Sequence, residues 1–248
     1  MLENSRILIT GANGGIGRAI AEKLLVNNAK LFLFYHQRRN EIDKLIEKFP
    51  NLKSSIKIYK VDLLATENIN QVLLEVLKEG PIDTFIHCVT IPIENKEILK
   101  MDWSEFLSHI DIQTKSFFQI IKSIVPPMKN SKRGRIISIL SSYSVGRPPT
   151  KIGHYLVGKY SLFGLSKSLS VELGPFGITV NCISPTMTET SLTEKLPSKT
   201  KEIMANQIPL RRLARPEDIS GMVLFLCSKD SDFITGENFL IAGGERMK

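Results

Sequence analysis

Short apolar runs and longer amphipathic stretches alternate along this chain almost from its start. Residues 6–10 form a brief apolar run, the pattern of a strand buried on both faces. A glycine-rich turn follows, then a stretch that places Ile16, Ile20, Leu24 and Leu25 on one helical face. The rhythm continues through strands over 31–35, 56–61 and 82–89, with helices over 40–49 and 68–77 between them. Phe106, Ile110, Phe117, Ile121 and Ile124 then recur at helical spacing within 103–125. Strands over 135–140, 178–183 and 239–242 are separated by helices over 155–173 and 216–227. Alternation of this kind predicts an α/β fold of the Rossmann type, a doubly wound parallel sheet of about seven strands with helices on both faces. The polar stretch 188–207, which contains Pro197, reads as an exposed helical excursion or as a lid over a site.

No linker, low-complexity tract or internal repeat interrupts the pattern, so residues 1–248 read as one domain. A chain of that length buries enough surface to fold without a disulfide or a metal. The net charge of +8 raises nucleic acid, a membrane surface or an acidic substrate as partners. The basic residues are scattered, however, so no nucleic-acid partner is expected. A phosphorylated cofactor and an acidic carrier protein remain. One local group, Lys129, Lys132, Arg133 and Arg135, reads equally as a solvated loop or as a dock for such a carrier. Cys88, Cys182 and Cys227 each sit in an apolar run and form no Cys-x-x-Cys pair, so they read as small core residues of a protein in the reducing cytoplasm. There is no export segment and no apolar run of about 18 residues, so no membrane partner is expected. The four histidines, His36, His87, His109 and His154, show no metal-ligand spacing, and no metal site is expected.

The chemistry concentrates in two places. The first is Gly11-Ala12-Asn13-Gly14-Gly15-Ile16-Gly17, set between the first strand and the first helix. Glycines there permit a sharp turn and let backbone approach a pyrophosphate, which the helix N-terminus then faces with unpaired N–H groups. In its strand–turn–helix context the string predicts a dinucleotide site rather than a plain turn. The second strand ends without the acid that would hold the 2′-hydroxyl of NAD; instead Arg38 and Arg39 follow, which suits the 2′-phosphate of NADP. NADP is therefore favoured over NAD. Asp62, after the third strand, reads as an acceptor for the adenine amine, as a helix cap, or as both.

The second place is Tyr155 with Lys159, four residues apart and so on one helical face. A tyrosine is a poor acid or base at neutral pH, and a neighbouring ammonium is expected to draw its pKa down. Ser142 lies just past the fifth strand, where its hydroxyl can hold a substrate carbonyl.

Together these motifs resemble the short-chain dehydrogenase/reductase family, and the likeness covers essentially the whole chain. The family's Thr-Gly-x-x-x-Gly-x-Gly matches Thr10 to Gly17, its serine matches Ser142 with Ser141 as a register alternative, and its Tyr-x-x-x-Lys matches Tyr155 and Lys159. Its Pro-Gly-x-x-x-Thr appears as Pro185, Thr186 and Thr190. The nearest likeness is to the branch with 3-oxoacyl-carrier-protein reductases. The resemblance implies hydride transfer between NADPH and a carbonyl or alcohol. It makes Tyr155 the general acid/base, with Lys159 and Ser142 in support. It extends the cofactor contacts to Asn13, Ile16, Leu63, Cys88, Pro185 and Thr190. It also implies a homo-oligomer, a tetramer or dimer, and a 3-oxoacyl thioester substrate on an acyl carrier.

Three positions depart from the family. Asn-Asn-Ala-Gly becomes His87-Cys88-Val89-Thr90, the relay asparagine becomes Gln113, and the glycine after Pro185 becomes Thr186. Gln113 keeps the amide on a longer stem and is carried as a catalytic candidate. His87 reads as a backbone hydrogen-bonding replacement, and His154 as a satisfied histidine or a pocket wall. The competing reading is a cofactor-binding regulator or structural subunit with little catalysis.

Overall fold

The computed structural model describes residues 2–194 and 196–246. Its strands are β1 (Arg6–Thr10), β2 (Lys30–Tyr35), β3 (Ile56–Lys60), β4 (Thr84–His87), β5 (Gly134–Ile139), β6 (Ile178–Pro185) and β7 (Asn238–Ile241). Its helices are α1 (Gly15–Leu25), α2 (Asn40–Lys48), α3 (Thr66–Lys78), α4 (Trp103–Ile110), α5 (Ser116–Ser131), α6 (Gly153–Leu173), α7 (Ser191–Glu194), α8 (Ser198–Gln207) and α9 (Pro216–Cys227). The strands form one sheet in the order β3-β2-β1-β4-β5-β6-β7, and every pairing is parallel.

Side chains alternate across this sheet. Ile7, Ile9, Leu31, Leu33, Ile86, Ile137 and Ile183 pack with α1, α2 and α9 on one face. Leu8, Phe32, Phe34, Phe85, Ile136 and Val180 pack with α3, α5 and α6 on the other. Both faces being covered explains the continuous apolar runs. The strand order reverses between β1 and β4, and ligands of open α/β sheets seat at the carboxyl ends of strands at such a point. Thr10, Gly11, His87 and Cys88 lie there.

Three places refine the sequence expectation. The single helix expected over 103–125 is α4, a π turn at Asp111–Lys115, and α5. α5 runs on past Pro126 and Pro127 to Ser131, anchored by the buried Met128. The stretch 188–207 contains α7 and α8, a helical content that either reading of it allows; Lys195 lies outside the described residues. In the basic group near β5, Lys132 and Arg133 are exposed and Lys129 is half-buried, but Arg135 is not part of any surface patch. Arg135 is buried and bonded to Asp232 and Ser231, because a guanidinium at the start of a central strand must find partners. The group also sits at the amino end of β5, whereas the glycine turn and Tyr155 lie at the carboxyl ends of the strands.

Candidate active site

The glycine turn is built by close approach. Gly11 has φ +69°, and a Cβ there would stand 2.1 Å from the Cys88 carbonyl oxygen. A Cβ on Gly17 would stand 2.2 Å from the Gly11 oxygen, so α1 presses directly onto the turn. Gly14 N–H closes the turn by donating to Gly11 O at 3.0 Å. Gly15 meets Thr190: a Cβ there would lie 2.8 Å from the threonine methyl, so the segment after β6 is laid against the start of α1. That start has no side-chain cap and no acid in its first turn, leaving donors for an anion. Asn13 and Ile16 belong to the same turn, and Pro185 ends β6 close by in sequence to Thr190. These residues fit the pyrophosphate and nicotinamide halves of a dinucleotide.

At the other end, Arg38 and Arg39 are both exposed after β2. Arg39 Nε is held by Asp43 at 2.8 Å, whereas Arg38 has no ion-pair partner among the described residues. Asp62 accepts from Leu64 N–H at 3.0 Å, so it caps its own turn; the N-cap of α3 is Ala65. Leu63 is half-buried against the core on that face.

Tyr155 and Lys159 lie in the first turns of α6, both buried. Lys159 Nζ sits 5.7 Å from the Tyr155 ring and donates to the Ile139 carbonyl at 2.8 Å. Burial drives its pKa down to about 8, with Cys88 and Cys182 opposing. Burial also pushes the Tyr155 phenol up to about 12, and a hydrogen bond from Ser141 works the other way. The expected lowering of the tyrosine by Lys159 is thus not seen in this state: loss of water around the phenol sets the direction, and Lys159 is not among the groups that shift it. Ser141 and Ser142 are both buried between β5 and α6. Ser141 Oγ accepts from Tyr143 N–H at 3.3 Å, whereas the Oγ of Ser142 has no partner among the described residues.

The altered positions find structural explanations. His87 Nε2 lies 2.9 Å from the Gln113 carbonyl, which can only accept, so Nε2 carries the proton. Nδ1 then accepts from Thr10 Oγ1 at 2.9 Å. Burial holds His87 neutral, with its pKa down to about 3. The histidine thereby ties β1 and β4 to the π turn. Thr90 and Thr186, which replace the glycines of the family pattern, are not among the residues with positive φ, so neither is strained. Thr186 Oγ1 instead donates to Glu245, fastening the C-terminal segment, while Arg246 donates to the carbonyls of Val145 and Arg147 at 3.2 and 2.9 Å.

Gln113 is fully buried. Its Nε2 lies 3.3 Å from His109 Nδ1, its amide presses on Gly158, and its buried Oε1 has no partner among the described residues. Sequence reasoning missed His109. It precedes Gln113 by four residues on the same helical run, which was the available signal. The His109 ring packs edge-on against His154 at 4.5 Å and against Tyr155 at 5.9 Å. His109 and His154 form one wall of a cleft of about 300 Å³, with Glu94, Lys96, Glu105 and Ser108 on its other sides. Tyr155 packs directly behind the His109 wall of this cleft.

Comparison with known proteins agrees with this arrangement. Residues 11–245 match the family model described as enoyl-(acyl carrier protein) reductase. The 3-oxoacyl-[acyl-carrier-protein] reductase of Rickettsia bellii is 32% identical over 246 residues, covering 99% of this chain and 98% of the relative. The human dehydrogenase/reductase SDR family member 4 is 30% identical, covering 98% of this chain and 88% of the relative. Among solved structures, ElxO with NADP bound superposes with a TM-score of 0.89 at 22% identity, covering 98% of each chain, and so shares the fold. With the glycine turn, the Tyr155–Lys159 pair and the full-length matches in agreement, the chain belongs to the short-chain dehydrogenase/reductase family of oxidoreductases.

Proposed function

We propose that this protein is an NADPH-dependent reductase of 3-oxoacyl thioesters carried on an acyl carrier protein, working in the cytoplasm as a homo-oligomer. The observation that carries the reading is the burial of Ser141, Tyr155 and Lys159 together between the glycine turn and the cleft. The names of the relatives supply the thioester and the carrier.

Gly11, Asn13, Gly14, Gly15, Ile16 and Gly17 hold the pyrophosphate, Arg38 the 2′-phosphate, and Asp62, Leu63 and Cys88 flank the adenosine and ribose. Pro185 and Thr190 border the nicotinamide. A bound nicotinamide supplies the hydride. Tyr155 gives its proton to the carbonyl oxygen; with the phenol pushed up to about 12, the donor is protonated at neutral pH, as reduction requires. Lys159, charged below about pH 8, stabilises the phenolate left behind. Ser142, whose buried Oγ has no partner among the described residues, orients the carbonyl, with Ser141 as the register alternative. Gln113 offers its unpaired Oε1 to a water that returns protons to Lys159.

Phe118, Val157 and Tyr160 are exposed on α5 and α6 at 45%, 38% and 47%, an apolar face suited to a second copy of the chain. Light scattering that reports only monomer would refute that part. The free thiols of Cys88, Cys182 and Cys227 suit a reducing compartment. No helix among the described residues is long and apolar enough to cross a membrane.

The test is NADPH consumption with a panel of 3-oxoacyl thioesters and simple ketones, run in parallel with NADH. Turnover of a 3-oxoacyl thioester with preference for NADPH is expected. Tight NADPH binding with no turnover on any member of the panel would favour the regulator reading instead.

A further inference from the structure

The cleft beside Tyr155 contains several polar groups, and most already have protein partners. Lys96 is gripped by both oxygens of Glu105, at 2.8 and 2.6 Å. Ser108 donates to the Glu105 carbonyl at 2.6 Å. His109 Nδ1 faces the Gln113 amide. His154 is different. It is only 5% exposed, it lines the cleft, and its Nδ1 has no hydrogen-bond partner among the described residues. Its neighbours in the field are Glu94 and Glu105, but burial outweighs them and keeps its pKa below the usual histidine range. At neutral pH the ring is therefore uncharged and offers one N–H and one lone pair. His154 also immediately precedes Tyr155 on α6, so its distance from the reacting carbonyl is fixed by the helix.

Nδ1 is sealed off without a partner and takes the lone pair, so the N–H falls to Nε2, the ring nitrogen left to meet a ligand in the cleft; a ligand acceptor that completes it is rewarded. A simple ketone has nothing left to offer once its carbonyl faces Tyr155. A 3-oxo compound has a second carbonyl two carbons away, which accepts one hydrogen bond.

We propose that His154 sets substrate choice by donating a hydrogen bond to the second carbonyl of a 3-oxo substrate. This rests on the reductase reading above. Because that carbonyl does not react, its bond is present equally in the bound substrate and the transition state, so its loss raises KM and leaves kcat largely alone.

The experiment compares a 3-oxoacyl thioester with the monoketone of the same length, in wild type, His154→Leu and His154→Gln. The greater intrinsic reactivity of the 3-oxo compound cancels when the kcat/KM ratio of the two substrates is compared between variants. In His154→Leu that ratio should fall about tenfold through KM, and His154→Gln, which retains a donor, should restore much of it. A ratio unchanged in His154→Leu, or parallel losses on both substrates, overturns the proposal and leaves the reductase reading standing. Calorimetric binding of the same pair to Tyr155→Phe saturated with NADPH reads His154 without turnover. A binding preference for the 3-oxo compound that disappears in the Tyr155→Phe/His154→Leu double variant supports the proposal even where wild type turns over neither substrate. No such preference overturns it.

Discussion

Replacing Lys159 by methionine should make the protein more stable while removing its activity. The ammonium is buried and its pKa falls from 10.5 to about 8. The native state thus holds this proton more weakly than the unfolded chain does. Below about pH 8 the buried charge costs stability, and the cost fades as pH rises from 8 toward 10.5. A shift of that size corresponds to about 3 kcal/mol. Methionine fills much the same space without the charge. It loses the hydrogen bond to the Ile139 carbonyl, which returns about 1 kcal/mol. A net gain of about 2 kcal/mol is expected near neutral pH. Urea denaturation of both proteins at about pH 7 and again at about pH 10 reads the effect, and groups shared by the two proteins cancel in the difference. The advantage of Lys159→Met should shrink by about 2 kcal/mol between the two conditions as wild type sheds the proton. A variant less stable than wild type at pH 7, or an advantage that stays constant with pH, would refute the view that a desolvated cation is held here at a cost to the fold. Such a cost is what a residue kept for chemistry would show.

Other consequences follow from the same geometry. Arg38→Ala should raise KM for NADPH about tenfold and leave NADH little changed, with a smaller effect for Arg39→Ala because Asp43 already engages that side chain; equal effects on both cofactors would remove the 2′-phosphate assignment. Gly11→Ala combines a positive φ with a carbonyl 2.1 Å from the new Cβ, so melting should show a loss of about 3 kcal/mol or more, or no folded protein; a near-wild-type melt would contradict the turn geometry. The reductive kcat/KM should fall as pH rises through about 8, where Lys159 loses its charge, and a profile flat through that region would count against its role.

The sheet and its helices were legible because burial on both faces leaves a mark in each strand: runs such as Ile7-Leu8-Ile9 admit no polar residue. Boundaries were less so. The expected strand over 82–89 is only Thr84–His87, since Cys88 and Val89 leave the ladder to carry the carbonyl against Gly11. The π turn at Gln113 was invisible, because it changes hydrogen bonding without changing the period of Phe106, Ile110 and Phe117 enough to notice. The Tyr155–Lys159 pair was readable from spacing, but the register of Ser141 and Ser142 depends on where the chain turns after β5, which sequence does not encode locally. Arg135 shows the converse failure: adjacent basic residues look like a surface patch, while the strand's alternation buries one of them against Asp232. His109 escaped because a lone histidine carries no motif, and only the packing of α4 on α6 brings its ring to 4.5 Å from His154, which the sequence had already offered as a pocket wall.

The most direct test of the central claim compares wild type with Tyr155→Phe, each saturated with NADPH, in a single turnover of a 3-oxoacyl thioester followed by the loss of NADPH absorbance. The phenylalanine keeps the ring and removes only the proton donor. The account predicts unchanged NADPH affinity with a rate lowered by about a thousandfold or more; a variant that reduces the thioester at near-wild-type rate would show that Tyr155 is not the acid and that the chemistry lies elsewhere.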